Sequence, residues 1–155
     1  MQENNEIIQV LYVDDEINNL ESFKANFRKF YKIHTALSVE TAKILLAHYE
    51  IAVLITDQKM PGTNGTQLLE QSVKEYPLQT RIMLTAYTDK DSVFDAFHKG
   101  LIYRYIVKPW KTEELKEVID NAYEIYRLNR IKEQLYQEWL NTNRELEMLK
   151  KNQGK

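Results

Sequence analysis

Residues 51–57 read Ile-Ala-Val-Leu-Ile-Thr-Asp. A short, uninterrupted apolar run that stops at a hydroxyl and a carboxylate is the pattern of a strand buried on both faces. Working towards the N terminus, residues 7–13 (IIQVLYV) repeat it and stop at Asp14-Asp15-Glu16. Between the two runs, Ile17, Leu20, Phe23, Phe27 and Phe30 recur at helical spacing, residues 31–36 read as a short strand, and residues 41–48 as a helix capped by Ser38. Working towards the C terminus, Met60-Pro61-Gly62 and Asn64-Gly65 mark a loop, and Leu68, Leu69 and Val73 begin a helical stripe. Residues 81–84 are strand-like and end in Thr85-Ala86; Asp89 or Asp91 is placed to cap a helix that Gly100 stops. Residues 103–107 form the last strand, followed by Lys108-Pro109-Trp110. Thr112 is then expected to cap a long final helix, with Glu113 and Glu114 at its positive end.

Strands alternating with helices in units of roughly 20 residues predict parallel strands joined by right-handed crossovers, with helices on both faces. The expected fold class is α/β: a doubly wound five-stranded parallel sheet of flavodoxin-like order 2-1-3-4-5. The chain has 155 residues, 43% hydrophobic and 28% charged, enough for one such domain and an appendage. The expected division is a domain over residues 1–122 and a helical extension over 123–155. A formal net charge of -2 gives no global basicity for nucleic acid, and zero cysteines exclude a disulfide scaffold and thiol chemistry. Neither a signal-peptide plan nor a membrane-length apolar run occurs, so a soluble, cytoplasmic protein is expected. The three histidines, His34, His48 and His98, show no ligand spacing, and no phosphate-cradling glycine motif is present.

In such sheets chemistry sits beyond the carboxyl ends of the strands. There the sequence places Asp14 and Asp15, Asp57, Thr85 and Lys108. Three carboxylates at one edge repel each other, and a hard divalent cation relieves this; oxygen-only ligation suits Mg²⁺. The lysine and the hydroxyl are left to hold an anion beside the metal, a combination suited to phosphoryl transfer onto an aspartate.

Asp14-Asp15, Thr56-Asp57-Gln58-Lys59-Met60-Pro61-Gly62, Thr85-Ala86 and Tyr105-Ile106-Val107-Lys108-Pro109 together resemble the signature of bacterial response-regulator receiver domains. The resemblance implies that Asp57 accepts a phosphoryl group from a phosphohistidine on a partner kinase or phosphotransfer protein. It implies Mg²⁺ held by Asp15 and Asp57 directly, by Asp14 through water, and by the backbone carbonyl of Lys59. Lys108 and Thr85 would each meet a phosphoryl oxygen, and Tyr105 would follow Thr85 as the switch. A cis bond before Pro109 is common in the family. The Lys59 ammonium and Tyr87, beside Ala86, are expected to influence how long the aspartyl phosphate survives.

Two other classes compete. A haloacid-dehalogenase-type phosphatase also uses a strand-end aspartate, but wants a second Asp two residues on, where Lys59 stands. A phosphorylation-independent scaffold, dimerised by the final helix, is the third reading. That helix has no Pro or Gly from 111 to 153, too long to pack wholly on its own domain. Ile125, Leu128, Leu135, Trp139, Leu146 and Leu149 fall on heptad a and d positions shared with Lys132 and Thr142, which predicts a parallel homodimer. Acidic and basic residues balance along it, so no zipper-type DNA contact is expected. The resemblance allows an output domain to follow, such as a cyclic-dinucleotide phosphodiesterase or a cyclase; no residue here shows one.

Overall fold

The fold is described from a computed structural model over residues 6–60, 62, 65–86 and 90–154. The elements alternate in chain order: β1 (Gln9–Val13), α1 (Ile17–Phe27), β2 (Lys32–Ala36), α2 (Val39–His48), β3 (Val53–Asp57), α3 (Gly65–Glu75), β4 (Thr80–Thr85), α4 (Lys90–His98), β5 (Arg104–Val107) and α5 (Thr112–Gln153). The sheet runs β2-β1-β3-β4-β5 with every pair parallel, the flavodoxin-like order.

Alternation along the strands sorts the core into two layers. Val10, Tyr12, Val53, Ile55, Ile82 and Leu84 face α1 and the first turns of α5, which contribute Phe23, Phe27, Leu115, Ile119 and Ala122. Leu11, Val13, Leu54 and Met83 face α2, α3 and α4 through Ala42, Leu46, Leu68, Leu69 and Ala96. Both faces of the central strands are therefore buried, which is why residues 51–55 and 10–13 read as unbroken apolar runs.

Local stops and starts follow the sequence in most places. Ser38 Oγ accepts the Thr41 N–H at the start of α2. Gly100, at φ +69°, closes α4: its N–H reaches the Phe97 carbonyl, and the Leu101 N–H reaches that of Ala96. These two bonds form the paired C-terminal motif that favours glycine. One start differs. The sequence puts Thr112 at the N-cap of α5, whereas Lys111 occupies it, its carbonyl taking the first helical bond from the Leu115 N–H. Trp110 packs on Phe23 and Phe27, with ring centroids 6.1 and 5.5 Å apart, and this anchor sets where the helix can begin. Pro61, Asn64 and Asp89, read from sequence as loop or cap residues, lie outside the described residues.

α5 is a single helix of 42 residues, about 60 Å long. Its last residue buried against the domain is Tyr126. Just beyond, Arg130 bonds Glu6 at 2.9 Å, Tyr126 Oη donates to Glu50 at 3.0 Å and Tyr123 Oη donates to Glu6 at 3.3 Å. The Arg130 guanidinium also covers the Tyr126 ring at 5.5 Å. These contacts tie the helix to the N-terminal edge of the sheet as it leaves. No helix among the described residues is long and apolar enough to cross a membrane.

Candidate functional site

Strand register assembles the site. Val13 pairs with Thr56, Asp57 with Leu84, and Thr85 with Val107, so Asp14, Asp57, Thr85 and Lys108 emerge side by side at the C-terminal edge. The Lys108 N–H also donates to the Thr85 carbonyl at 2.8 Å, and the Lys108–Pro109 peptide is cis.

Asp14 is fully buried. Its carboxylate accepts from Tyr12 Oη at 2.6 Å, the Glu16 N–H at 3.0 Å, Asn19 Nδ2 at 3.0 Å and Lys108 Nζ at 3.0 Å. Burial alone would raise its pKa, but these donors overcome that and hold the carboxyl below the usual range. Asp57 is pulled the other way. Burial, joined by the Asp14 charge, outweighs Lys108 at 3.4 Å and the Gln58 N–H at 2.9 Å, and the Asp57 carboxyl is raised. For Lys108, burial disfavours the charge, yet the two carboxylates win and raise its pKa. The opposite shifts leave Asp57 the less satisfied of the two acids that Lys108 touches.

Asp14, Asp15 and Asp57 each offer a carboxylate oxygen, and these three atoms lie within 4.8 Å of one another. The donor set is entirely oxygen and strongly anionic, which fits a hard divalent cation and no soft metal. Asp15 is exposed at the rim, where an ion could keep water. Lys59, two residues after Asp57, is exposed.

Three features were not singled out by the sequence reading. Tyr12 stands two residues before Asp14, on the same face of the strand, so alternation could have shown that its hydroxyl reaches the carboxylate. Asn19, one turn into α1, was hidden among ordinary helix-surface residues. Gly65 was read only as a loop marker. A Cβ there would lie 2.2 Å from the Asp57 carbonyl oxygen and 3.1 Å from Thr56 Oγ1. α3 thus begins hard against the backbone of the acceptor, with the Gly65 N–H on the Gln58 carbonyl at 3.0 Å.

Comparison with known proteins agrees with this geometry. Residues 10–120 match the family described as response regulator receiver domain. The chain belongs to that family. HoxA, the hydrogenase transcriptional regulatory protein of Cupriavidus necator, is 30% identical over 115 residues, 74% of this chain but 24% of HoxA. The chain therefore spans about a quarter of that relative's length. Among solved structures, the adenylate cyclase from Rhodopirellula baltica superposes with a TM-score of 0.82 at 26% identity, covering 85% of this chain and 98% of that one. The signal receiver domain of an HD domain-containing protein from Pseudomonas fluorescens gives 0.75 at 31% identity, covering 80% and 92%. Receiver domains of this kind are phospho-acceptors of two-component signalling.

The remaining residues expected of a receiver lie along β4 and β5. Thr85 is 2% exposed, and its hydroxyl donates to the Ala86 carbonyl at 3.2 Å. Tyr105 is 50% exposed, turned away from the core. Between them a groove of about 510 Å³ is lined by Thr85, Val93, Phe94, Phe97, Tyr105 and Val107. Tyr87 lies outside the described residues.

Proposed function

We propose that the chain accepts a phosphoryl group on Asp57 from the phosphohistidine of a histidine kinase or phosphotransfer protein, in a cytoplasmic phosphorelay, and passes the change through α5 to an output domain. The observation that carries this is the convergence of Asp57 with Asp14, Asp15 and Lys108. An Asp57 carboxylate oxygen attacks phosphorus, the nitrogen–phosphorus bond breaks, and the imidazole leaves with the electron pair; an acyl phosphate remains on Asp57. Asp14, Asp15 and Asp57, with the Lys59 carbonyl, would hold Mg²⁺. The chemistry the ion supplies when bound is neutralisation of the crowded carboxylates and of the charge developing on the phosphoryl oxygens.

Lys108 is placed to exchange its contact with Asp57 for one to a phosphoryl oxygen. Thr85 would give up the Ala86 carbonyl for another, and Tyr105 would turn into the groove beside it. Phosphorylation adds about 1.5 to 2 negative charges and three strong acceptors, so these contacts exist only in the phosphorylated state. Charge-assisted bonds are worth about 1.5–3 kcal/mol each, and reversing a 1:99 equilibrium takes about 5.5 kcal/mol. Two such contacts near the upper value, or three at about 2 kcal/mol, supply it. Beyond Tyr126 the apolar residues of α5, Leu140 apart, are exposed, which supports a parallel homodimer as the relay.

Incubation with a small acyl phosphate and Mg²⁺, followed by intact-mass measurement, tests the reading. One phosphate per chain, absent in Asp57→Asn, is the expected result. Repeated hydrolysis of phosphate esters would point to a phosphatase instead, and no adduct at all would leave a scaffold.

A further inference from the structure

Past its contact with the receiver, α5 carries an apolar stripe that no described residue of the domain covers. Leu128, Ile131, Leu135, Trp139, Leu146 and Leu149 are 57, 39, 59, 59, 50 and 57% exposed. With Thr142 they are spaced three, four, four, three, four and three residues apart. A helix advances about 100° per residue, so all seven lie within an arc of about 80°. Lys132 falls about 60° from the centre of that arc and Ile125 about 80°. Together with the three that precedes them, the two successive fours make an eleven-residue step from 128 to 139, about 3.67 residues per turn, the signature of a stutter between heptads. The heptad reading of the sequence required a lysine in the seam; this one replaces Lys132 with Ile131.

The stripe also has a fixed relation to the receiver. The residues that α5 buries in the domain, Leu115, Val118, Ile119, Ala122 and Tyr126, point about 160° away from it. On the stripe's own side, the receiver-packed turns present Glu117, Asn121 and Glu124, all exposed. Glu124 is paired with Arg127, but two copies brought together there would set Glu117 against Glu117 with no apolar side chain beside it, which confines contact to residues 128–149. At the far end, Glu145 and Lys150 border the stripe on opposite edges, five residues apart. In a parallel pair each Glu145 faces the partner's Lys150. Arg127, on the Glu145 edge, is neutralised within its own helix by Glu124 at 3.0 Å.

We propose that a second copy of this chain docks in parallel on residues 128–149, with Ile131 in the seam, Lys132 outside it, and the two receivers on the outer sides of the pair. This rests on the homodimer reading above and specifies its register.

The chain has no cysteine, so single-thiol variants report the register directly. Sedimentation of the full chain, with and without acyl phosphate and Mg²⁺, is measured first. Ile131→Cys, Lys132→Cys and Leu149→Cys are then oxidised and resolved without reductant. A dimer is expected in at least one state, with Ile131→Cys and Leu149→Cys cross-linking about tenfold faster than Lys132→Cys, because a disulfide demands close Cβ atoms. A monomer in both states overturns the dimer and the register together. A dimer in which Lys132→Cys links as fast as Ile131→Cys keeps the dimer and overturns the register. Linking at Ile131 without linking at Leu149 overturns the parallel arrangement.

Discussion

Lys108 Nζ sits 3.0 Å from the fully buried Oδ2 of Asp14, so the cation of β5 is held by the carboxylate of β1 across the width of the site. Removing the lysine leaves Asp14 with Tyr12, Asn19 and the Glu16 N–H. Breaking a fully buried pair costs about 3–5 kcal/mol. Three surviving donors and a lysine side chain 27% exposed reduce that figure. Lys108→Met should therefore lose about 1–3 kcal/mol at pH 7 in urea unfolding. The Lys108 pKa is raised, so its contribution is complete below the usual 10.5 and fades only as pH climbs through the raised value. The variant's deficit should stay level from pH 6 to pH 9, in the terms of that same linkage.

Asp57 behaves oppositely, and its substitution should reveal it. A carboxyl with a raised pKa costs the fold stability as pH rises from the usual 3.8 through the raised value, and the cost is complete above it. In chelator, Asp57→Asn should be more stable than wild type at pH 7 and melt at a higher Tm. The gap should close below pH 3.8. Millimolar Mg²⁺ should reverse the order, because a ligand stabilises only the state that binds it and the variant has lost one of three carboxylates. Equal Mg²⁺ responses in the two proteins would remove Asp57 from the metal site.

Much of this site was legible before any coordinates. Asp14 and Lys108 directly follow β1 and β5, Asp57 and Thr85 end β3 and β4, and parallel pairing obliges the ends of neighbouring strands to meet. The long helix was legible from the lack of breakers between 111 and 153. What escaped depended on depth and distance. Tyr12 looks like any core aromatic until its hydroxyl is seen under Asp14, and Gly65 looks like any turn glycine until its distance to the Asp57 carbonyl is known. The start of α5 was misplaced by one residue because Trp110 anchors it through tertiary packing, which a local capping rule does not contain.

Gly65 provides a backbone test. A Cβ 2.2 Å from the Asp57 carbonyl oxygen cannot be absorbed by a flexible side chain, so α3 or the acceptor strand must shift. Gly65→Ala should cost about 1–3 kcal/mol, the scale of an overpacked site. It should slow acyl-phosphate labelling of Asp57 even where the protein remains fully folded by circular dichroism. Unchanged labelling would mean that α3 yields without disturbing the acceptor.

Arg130 tests the exit of α5. Its pair with Glu6 is largely exposed and worth about 0–1 kcal/mol, so Arg130→Ala should scarcely alter Tm. The direction of the helix should suffer more. Spin labels on the receiver and near residue 146 should report a broader distance distribution in the variant. Glu6 has a lowered pKa, chiefly through its bond to Arg130, so acidification below the usual 4.5 should broaden the wild type in the same way.

One continuous helix that starts among core side chains and ends far from them has the mechanics of a pointer. From Val118, buried against the sheet, to Leu149 is about 45 Å of axis at 1.5 Å per residue. A reorientation of about 5° at the inner end, too slight to disturb packing, would sweep the tip through about 4 Å over that length. That sideways displacement is nearly half of the roughly 8–10 Å that separates packed helices, so a chemical event on a single carboxylate would reach the far end as a change in helix spacing.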